Sequence, residues 1–135
     1  MEYKNVLTTC PYCGTGCNLH LQVLDGKLVG VLPAKGHVIA DGGLCIKGWN
    51  AHAFVQDKDR LRTPLIRKNG SLVEASWDEA LALVAERLGQ VKAAHGADSI
   101  GILASAKCTN EENYILQKFA RAVIGTNNVD HCARL

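Results

Sequence analysis

Long apolar runs are missing from this chain, and aromatic side chains are few. No stretch approaches the eighteen or so apolar residues of a membrane helix, which argues against direct insertion into a bilayer. The opening residues, Met1-Glu2-Tyr3-Lys4-Asn5-Val6, hold neither an apolar export core nor a twin arginine, and the chain is read as cytoplasmic. Two Trp, three Tyr and two Phe in 135 residues are too few for a base-stacking platform. Charge of one sign is lacking too: 15 Lys and Arg stand against 13 Asp and Glu, a formal +2. The richest basic stretch, Lys58 to Lys68, is short, so no nucleic-acid partner follows. What is present in quantity is hydrophobic residues, 47% of the chain, which suffices for a globular core and excludes disorder by composition.

The six cysteines are not evenly spread. Cys10, Cys13 and Cys17 lie in Cys10-Pro11-Tyr12-Cys13-Gly14-Thr15-Gly16-Cys17, and Cys45 follows after twenty-seven residues in Leu44-Cys45-Ile46-Lys47-Gly48. Three close thiolates and a distant fourth are the arrangement a cuboidal iron-sulfur cluster requires. Gly14 and Gly16 allow backbone N–H groups to approach sulfide, and Gly42 and Gly43 let the chain return Cys45 to the trio. Structural zinc is the competing use of such residues, but zinc sites usually present two short ligand pairs, and Cys45 has no such neighbour. His20 and His37 carry no ligand spacing that recommends them. Disulfides are disfavoured by a CxxC in a chain without an export signal.

The remaining pattern predicts small elements in a mixed order. Residues 5–9, 18–24 and 28–32 read as strands, the last two joined by an Asp25-Gly26 turn, so the first quarter is an antiparallel sheet with the cysteine loop at one end. A short helix is expected between Trp49 and Asp59, then an extended connector over 60–67, a turn at Lys68-Asn69-Gly70-Ser71 and a short strand at Leu72 and Val73. Ser76-Trp77-Asp78-Glu79 is a capping box that opens a helix to about His95, with Leu81, Val84, Leu88 and Val91 on its buried face. A buried strand at 99–103, a loop ending in a second capping box at Thr109-Asn110-Glu111-Glu112, and a helix to about Ile124 follow. This second helix is expected to bury Leu116, Phe119, Ala120 and Val123. Another strand begins at Val129, and Cys132 is read as a buried thiol in it, with Cys108 of the same status. The fold class is therefore α+β to α/β: a cluster-binding antiparallel β domain over 1–60, then the start of a parallel α/β domain over 61–135.

In order, CPYCGTGC, LCIKGW, RLRTPLIR, SWDEAL, TNEENY and KFARAVIGTNNVDHCAR resemble the N-terminal part of molybdenum- or tungsten-dependent formate dehydrogenases, within the molybdopterin oxidoreductase superfamily. The resemblance implies that Cys10, Cys13, Cys17 and Cys45 hold one 4Fe-4S cluster. It further implies that Lys47 matches a lysine between that cluster and a pterin of bis-molybdopterin guanine dinucleotide, although an exposed lysine beside a glycine turn is the local alternative. By the same resemblance Lys107, Asn110 and Glu111 approach the cofactor; helix capping explains them equally well. Asn127, Asn128 and Asp130 are open between turn chemistry and cofactor support.

In that family the counterpart of Cys132-Ala133-Arg134-Leu135 is followed at once by the selenocysteine or cysteine that ligates the metal, and then by histidine. The expectation is a leading fragment of a selenocysteine-containing catalytic subunit, with the metal ligand immediately after Leu135 and no formate turnover by the fragment alone. The implied partners are the rest of that subunit and ferredoxin-like iron-sulfur subunits, with a hydrogenase or flavin subunit beyond them. Two further readings stand beside it: a self-sufficient electron-transfer module that docks on a redox complex, and a zinc-stabilised interaction domain.

Overall fold

An antiparallel three-stranded sheet opens the chain. In the computed structural model, which describes residues 1–132, β1 (Tyr3–Thr9), β2 (Asn18–Leu24) and β3 (Lys27–Pro33) pair in that order. Asp25 and Gly26 join β2 to β3 with φ of 47° and 76°, the paired left-handed angles of a tight hairpin whose twist matches its strands. The register sets Thr9 against Asn18, so residues 10–17 leave the sheet from one end as a closed loop. The core beside that loop is small: Cys10, Leu19, Val31 and Ala51 are buried, with Tyr12, Cys17, Leu21 and Leu44 packed against them.

After β3 the chain makes a 3-10 turn at Ala40–Gly42 and a short helix, α1 (Ile46–Trp49). The helix expected after Trp49 thus starts earlier, directly behind Cys45, and only a 3-10 turn at Ala53–Gln56 lies in the expected stretch. A second hairpin, β4 (Leu65–Lys68) and β5 (Ser71–Glu74), turns through Asn69 and Gly70 at φ 50° and 84°.

The long helix α2 (Trp77–His95) begins where its capping residue places it. Ser76 Oγ accepts the Glu79 N–H at 3.1 Å, while the Glu79 carboxylate takes the Lys68 ammonium at 2.7 Å instead of returning to the cap. Gly96, at φ 83°, ends the helix. A 3-10 turn over Ala97–Ser99, closed by Ile100 N–H to Ala97 O at 3.1 Å, occupies the start of the expected strand. That strand, β6, is consequently reduced to Ile102–Ala104.

Helix α3 (Asn110–Phe119) has a complete capping box. Thr109 N–H donates to Glu112 Oε2 at 2.7 Å, and Glu112 N–H donates to Thr109 Oγ1 at 3.2 Å. The helix widens into a π turn over Ala120–Ile124, closed by Gly125 N–H to Ala120 O at 2.8 Å. Strand β7 (Val129–His131) then pairs with β6 in a two-stranded sheet, making a strand–helix–strand unit. The architecture is mixed α+β, with small sheets and separate helices.

Two units emerge from this order. The first gathers Met1–Arg60, Ala104–Ile115 and the described residues from His131 on; the second holds Leu61–Leu103 and Leu116–Asp130.

Three expectations about burial are corrected. On α2, Leu81 and Val84 are more than half exposed and Val91 is 39% exposed. Beyond it, Phe119 and Val123 are exposed and Ala120 alone of the named set is fully buried. Helical spacing identifies an apolar face but not what covers it, and among the described residues Leu81, Val84, Phe119 and Val123 line an open groove with Leu88 and Ile124. Cys132 is exposed and lies just past β7 rather than buried within it. The residues immediately before the expected metal ligand, Ala133 to Leu135, lie outside the described residues. Among those described, no helix is long and apolar enough to cross a membrane.

Candidate metal centre

The cysteine loop is pinched shut at its base, where Cys10 N–H donates to Cys17 O at 2.8 Å. This bond extends the β1–β2 ladder by one step and sets the first and third cysteines side by side. Cys10 is 5% exposed and anchors the loop in the core. At the tip the chain must reverse within a few residues, and both Cys13 (φ 47°) and Gly16 (φ 68°) take left-handed angles to do so. Gly14 has a different role: a Cβ there would collide with Asn110 Oδ1.

The loop is tied to a distant segment of the same unit. Cys13 N–H donates to Lys107 O at 3.0 Å, and Asn110 Nδ2 donates to Gly14 O at 3.0 Å. Asn113 in turn supports the donor segment, its Nδ2 reaching Ser105 O at 3.2 Å.

Cys45 occupies the N-cap of α1. The backbone N–H groups of Gly48 and Lys47 pull its pKa below the ordinary thiol value, with the Lys47 charge adding to the effect. A hydrogen bond with Thr15 does the same for Cys13, again assisted by Lys47. Cys17 moves the other way, raised by burial and then by the neighbouring Cys10, Cys13 and Cys45. The other three cysteines therefore lie near enough to Cys17 for their charge to bear on its thiol.

They nevertheless do not form a cage for one ion. Among the described residues, no three His, Cys, Asp or Glu side chains converge on a single metal-sized point. Tetrahedral zinc with Zn–S bonds of about 2.3 Å would draw its sulfurs to within roughly 3.8 Å of one another. A cuboidal cluster separates its ligands, because each thiolate binds a different iron. The donor set itself is chemically suited to a cuboidal cluster: four thiols, three on one loop and the fourth at the start of α1, with backbone N–H groups that favour thiolate at Cys45.

The other residues singled out from sequence divide. Lys47 is half-buried, with its ammonium 5.5 Å from the Tyr12 ring centroid. The Lys107 side chain is exposed and its charge helps lower the Cys132 thiol, whose main cause of lowering is the Ser105 hydroxyl at 3.4 Å. Glu111 is exposed in the first turn of α3. Asn127 and Asn128 are engaged in the turn after Gly125: Asn127 Oδ1 accepts from Arg121 Nε at 3.0 Å and Asn128 Nδ2 donates to Asp98 O at 2.8 Å. Thr126, 2% exposed, completes that turn by donating to Asp98 Oδ1 at 2.6 Å. His37 Nδ1 accepts the Ile39 N–H at 3.4 Å. Sequence reasoning passed over Tyr12, whose position between two ligands was the available signal.

Two family models match in tandem: the molybdopterin oxidoreductase Fe4S4 domain over residues 3–57 and molybdopterin oxidoreductase over residues 60–135. The chain belongs to the molybdopterin oxidoreductase family. The first match contains the complete four-cysteine set, and a 4Fe-4S cluster and molybdopterin are the cofactors of the two matched domains. Among curated proteins, the chain is 58% identical over its full length to F420-dependent formate dehydrogenase 1 subunit alpha of Methanococcus maripaludis, covering 19% of that protein. It is 53% identical over its full length to F420-dependent formate dehydrogenase subunit alpha of Methanocaldococcus jannaschii, again 19% of the relative. Formate dehydrogenase H of Escherichia coli is 50% identical over 98% of the chain and 19% of the relative. The chain thus spans about a fifth of the length of these relatives. Acetylene hydratase from Pelobacter acetylenicus shares the fold, with a TM-score of 0.70 at 24% identity over 93% of this chain and 18% of that one.

Proposed function

We propose that this chain is the cluster-bearing N-terminal part of a formate dehydrogenase catalytic subunit, which interconverts formate and carbon dioxide with transfer of two electrons and a proton. The observation that carries the reading is the four-thiol site in a chain that aligns end to end with formate dehydrogenase alpha subunits. Cys10, Cys13, Cys17 and Cys45 would hold the 4Fe-4S cluster, which when bound supplies a one-electron relay.

The chain's own residues prepare that site. The Cys10–Cys17 backbone bond and the buried Cys10 side chain keep the ligand loop closed, and the Lys107 carbonyl and the Asn110 amide fix its tip. The N–H groups of Lys47 and Gly48 favour thiolate at Cys45. Lys47, Lys107, Asn110 and Glu111 are proposed to face the pterin side, where bis-molybdopterin guanine dinucleotide with molybdenum or tungsten belongs. Electrons would pass to ferredoxin-like iron-sulfur subunits and onward to a hydrogenase or flavin subunit, in the reducing cytoplasm that free cluster thiols require. Two relatives are named as alpha subunits, which supports an assembly of more than one subunit. By themselves the 135 residues are expected not to turn over formate, since most of the relatives' length has no counterpart in them.

The test has two parts. Anaerobic reconstitution of the chain with iron and sulfide should give a brown protein with the low-temperature EPR signal of a reduced 4Fe-4S cluster. Grafted in place of the matching segment of the Methanococcus maripaludis subunit, the chain should sustain formate-dependent dye reduction. A graft that carries its cofactors yet ignores formate would overturn the formate assignment.

A further inference from the structure

Two aromatic rings and two cations stand in series beside the cysteine loop. Lys47 Nζ lies 5.5 Å from the Tyr12 centroid, the Tyr12 and Phe54 rings meet edge to face at 6.2 Å and 67°, and Arg60 Cζ lies 5.0 Å from the Phe54 centroid. All four residues belong to the first unit. Both cations are within the reach of about 6 Å over which an aromatic face attracts positive charge, and the perpendicular ring pair presents the positive edge of one ring to the negative face of the other.

The placement of Tyr12 gives this series a purpose. Tyr12 lies between the first two cysteines, and Lys47 lies two residues after the fourth. The ring therefore joins the two ends of the ligand set that the backbone leaves twenty-seven residues apart. It is itself held, partly buried against the Cys10–Leu19–Val31–Ala51 core. Lys47 has little else to hold it: among the described residues the ion pairs are Lys4 with Glu2 and Lys68 with Glu79, and Lys47 enters neither. A lysine on four rotatable carbons, without a carboxylate partner, keeps one place only if something else restrains it.

We infer that Tyr12 is a positioning residue for the Lys47 ammonium, holding that charge against the cysteine ligands and thereby setting the reduction potential of the group they bind. The inference rests on the cluster assignment proposed above. Reduction adds negative charge to the site, so a fixed ammonium favours the reduced state and raises the potential. Release of the ammonium into solvent lowers it.

The experiment is a redox titration, followed by EPR, of the anaerobically reconstituted chain and its variants. Lys47→Gln should lower the potential. Tyr12→Leu should lower it in the same direction, Tyr12→Phe should restore it, and Tyr12→Leu should add nothing once Lys47→Gln is present. Because Tyr12 also contributes to packing, a second series replaces it with progressively fluorinated phenylalanines, which keep the ring's shape while weakening its negative face. Under the inference the potential falls stepwise with fluorination at constant iron content, and the steps vanish in the Lys47→Gln background. A potential indifferent to fluorination, or a response that persists without Lys47, overturns the inference. Absence of a cluster signal in the unsubstituted chain would instead overturn the cluster assignment, so the two failures are distinguishable.

Discussion

Asn110 reaches across ninety-six positions of sequence to donate its Nδ2 hydrogen to the carbonyl of Gly14 at 3.0 Å, with its own Oδ1 occupying the space a Gly14 side chain would need. Glycine at 14 and asparagine at 110 are thus one device. Gly14→Ala should force the amide away and loosen the loop tip, at about 1–3 kcal/mol for the overpacking and about 0.5–1.5 kcal/mol for the bond. The measurable consequence is faster bleaching of the reconstituted cluster in air. The Gly14→Ala, Asn110→Ala pair should bleach more slowly than Gly14→Ala alone, because the second change removes the collision.

The six cysteines are expected to separate into two classes. Cys45→Ala removes the fourth ligand and should lower bound iron sharply. Cys108→Ser and Cys132→Ser, at thiols that neither lie in the ligand loop nor repel Cys17, should leave bound iron unchanged. Iron and acid-labile sulfide assays on reconstituted protein read this directly.

The thiol shifts give a pH dependence in the metal-free chain. Cys13 and Cys45 are lowered, by the Thr15 hydrogen bond and the α1 N–H groups respectively, so each holds more thiolate at a given pH than an ordinary cysteine. Cys17 is raised by burial and holds less. Alkylation by iodoacetamide at neutral pH, mapped by peptide mass spectrometry, should therefore reach Cys13 and Cys45 before Cys17. The linkage signs are opposite. For Cys13 and Cys45 the stabilisation is present above the unfolded thiol pKa and fades as pH falls through the lowered folded value. For Cys17 it is present below the unfolded pKa and is lost as pH rises through the raised one.

Cys132 provides a separate check. Its thiol is lowered chiefly by the Ser105 hydroxyl at 3.4 Å, so Ser105→Ala should slow its alkylation at neutral pH. Equal rates in the two proteins would show that the hydroxyl does not support the thiolate.

The exposed apolar groove of the second unit should bind a hydrophobic dye. Leu81 and Val123 are 59% and 58% exposed. Leu81→Gln and Val123→Gln should therefore reduce dye fluorescence while changing stability by no more than about 0.5 kcal/mol, as at other surface sites. A loss comparable to a core truncation would show the side chains to be covered in solution.

Much of the fold was legible in sequence because its signals are short-range. Asp25-Gly26 and Asn69-Gly70 specify hairpins through the left-handed angles those residues tolerate. Ser76 and the Thr109–Glu112 pair specify helix starts through bonds only three residues long. The spacing of Cys10, Cys13, Cys17 and Cys45 suggests the proposed ligand set in a similar way, since three of the four lie on one loop. Tertiary structure decided the rest. It showed that residues 104–115 join the unit of the cysteine loop, that the Lys107 backbone oxygen and the Asn110 amide hold the loop tip, and that Tyr12 faces Lys47. It also left Leu81, Val84 and Val123 open rather than buried. A helical period names the apolar face of a helix, and a capping box names its first residue. Which distant carbonyl an amide finds, which ring an ammonium finds and what covers an apolar face are settled by where the chain returns in space, information that no local run of residues contains.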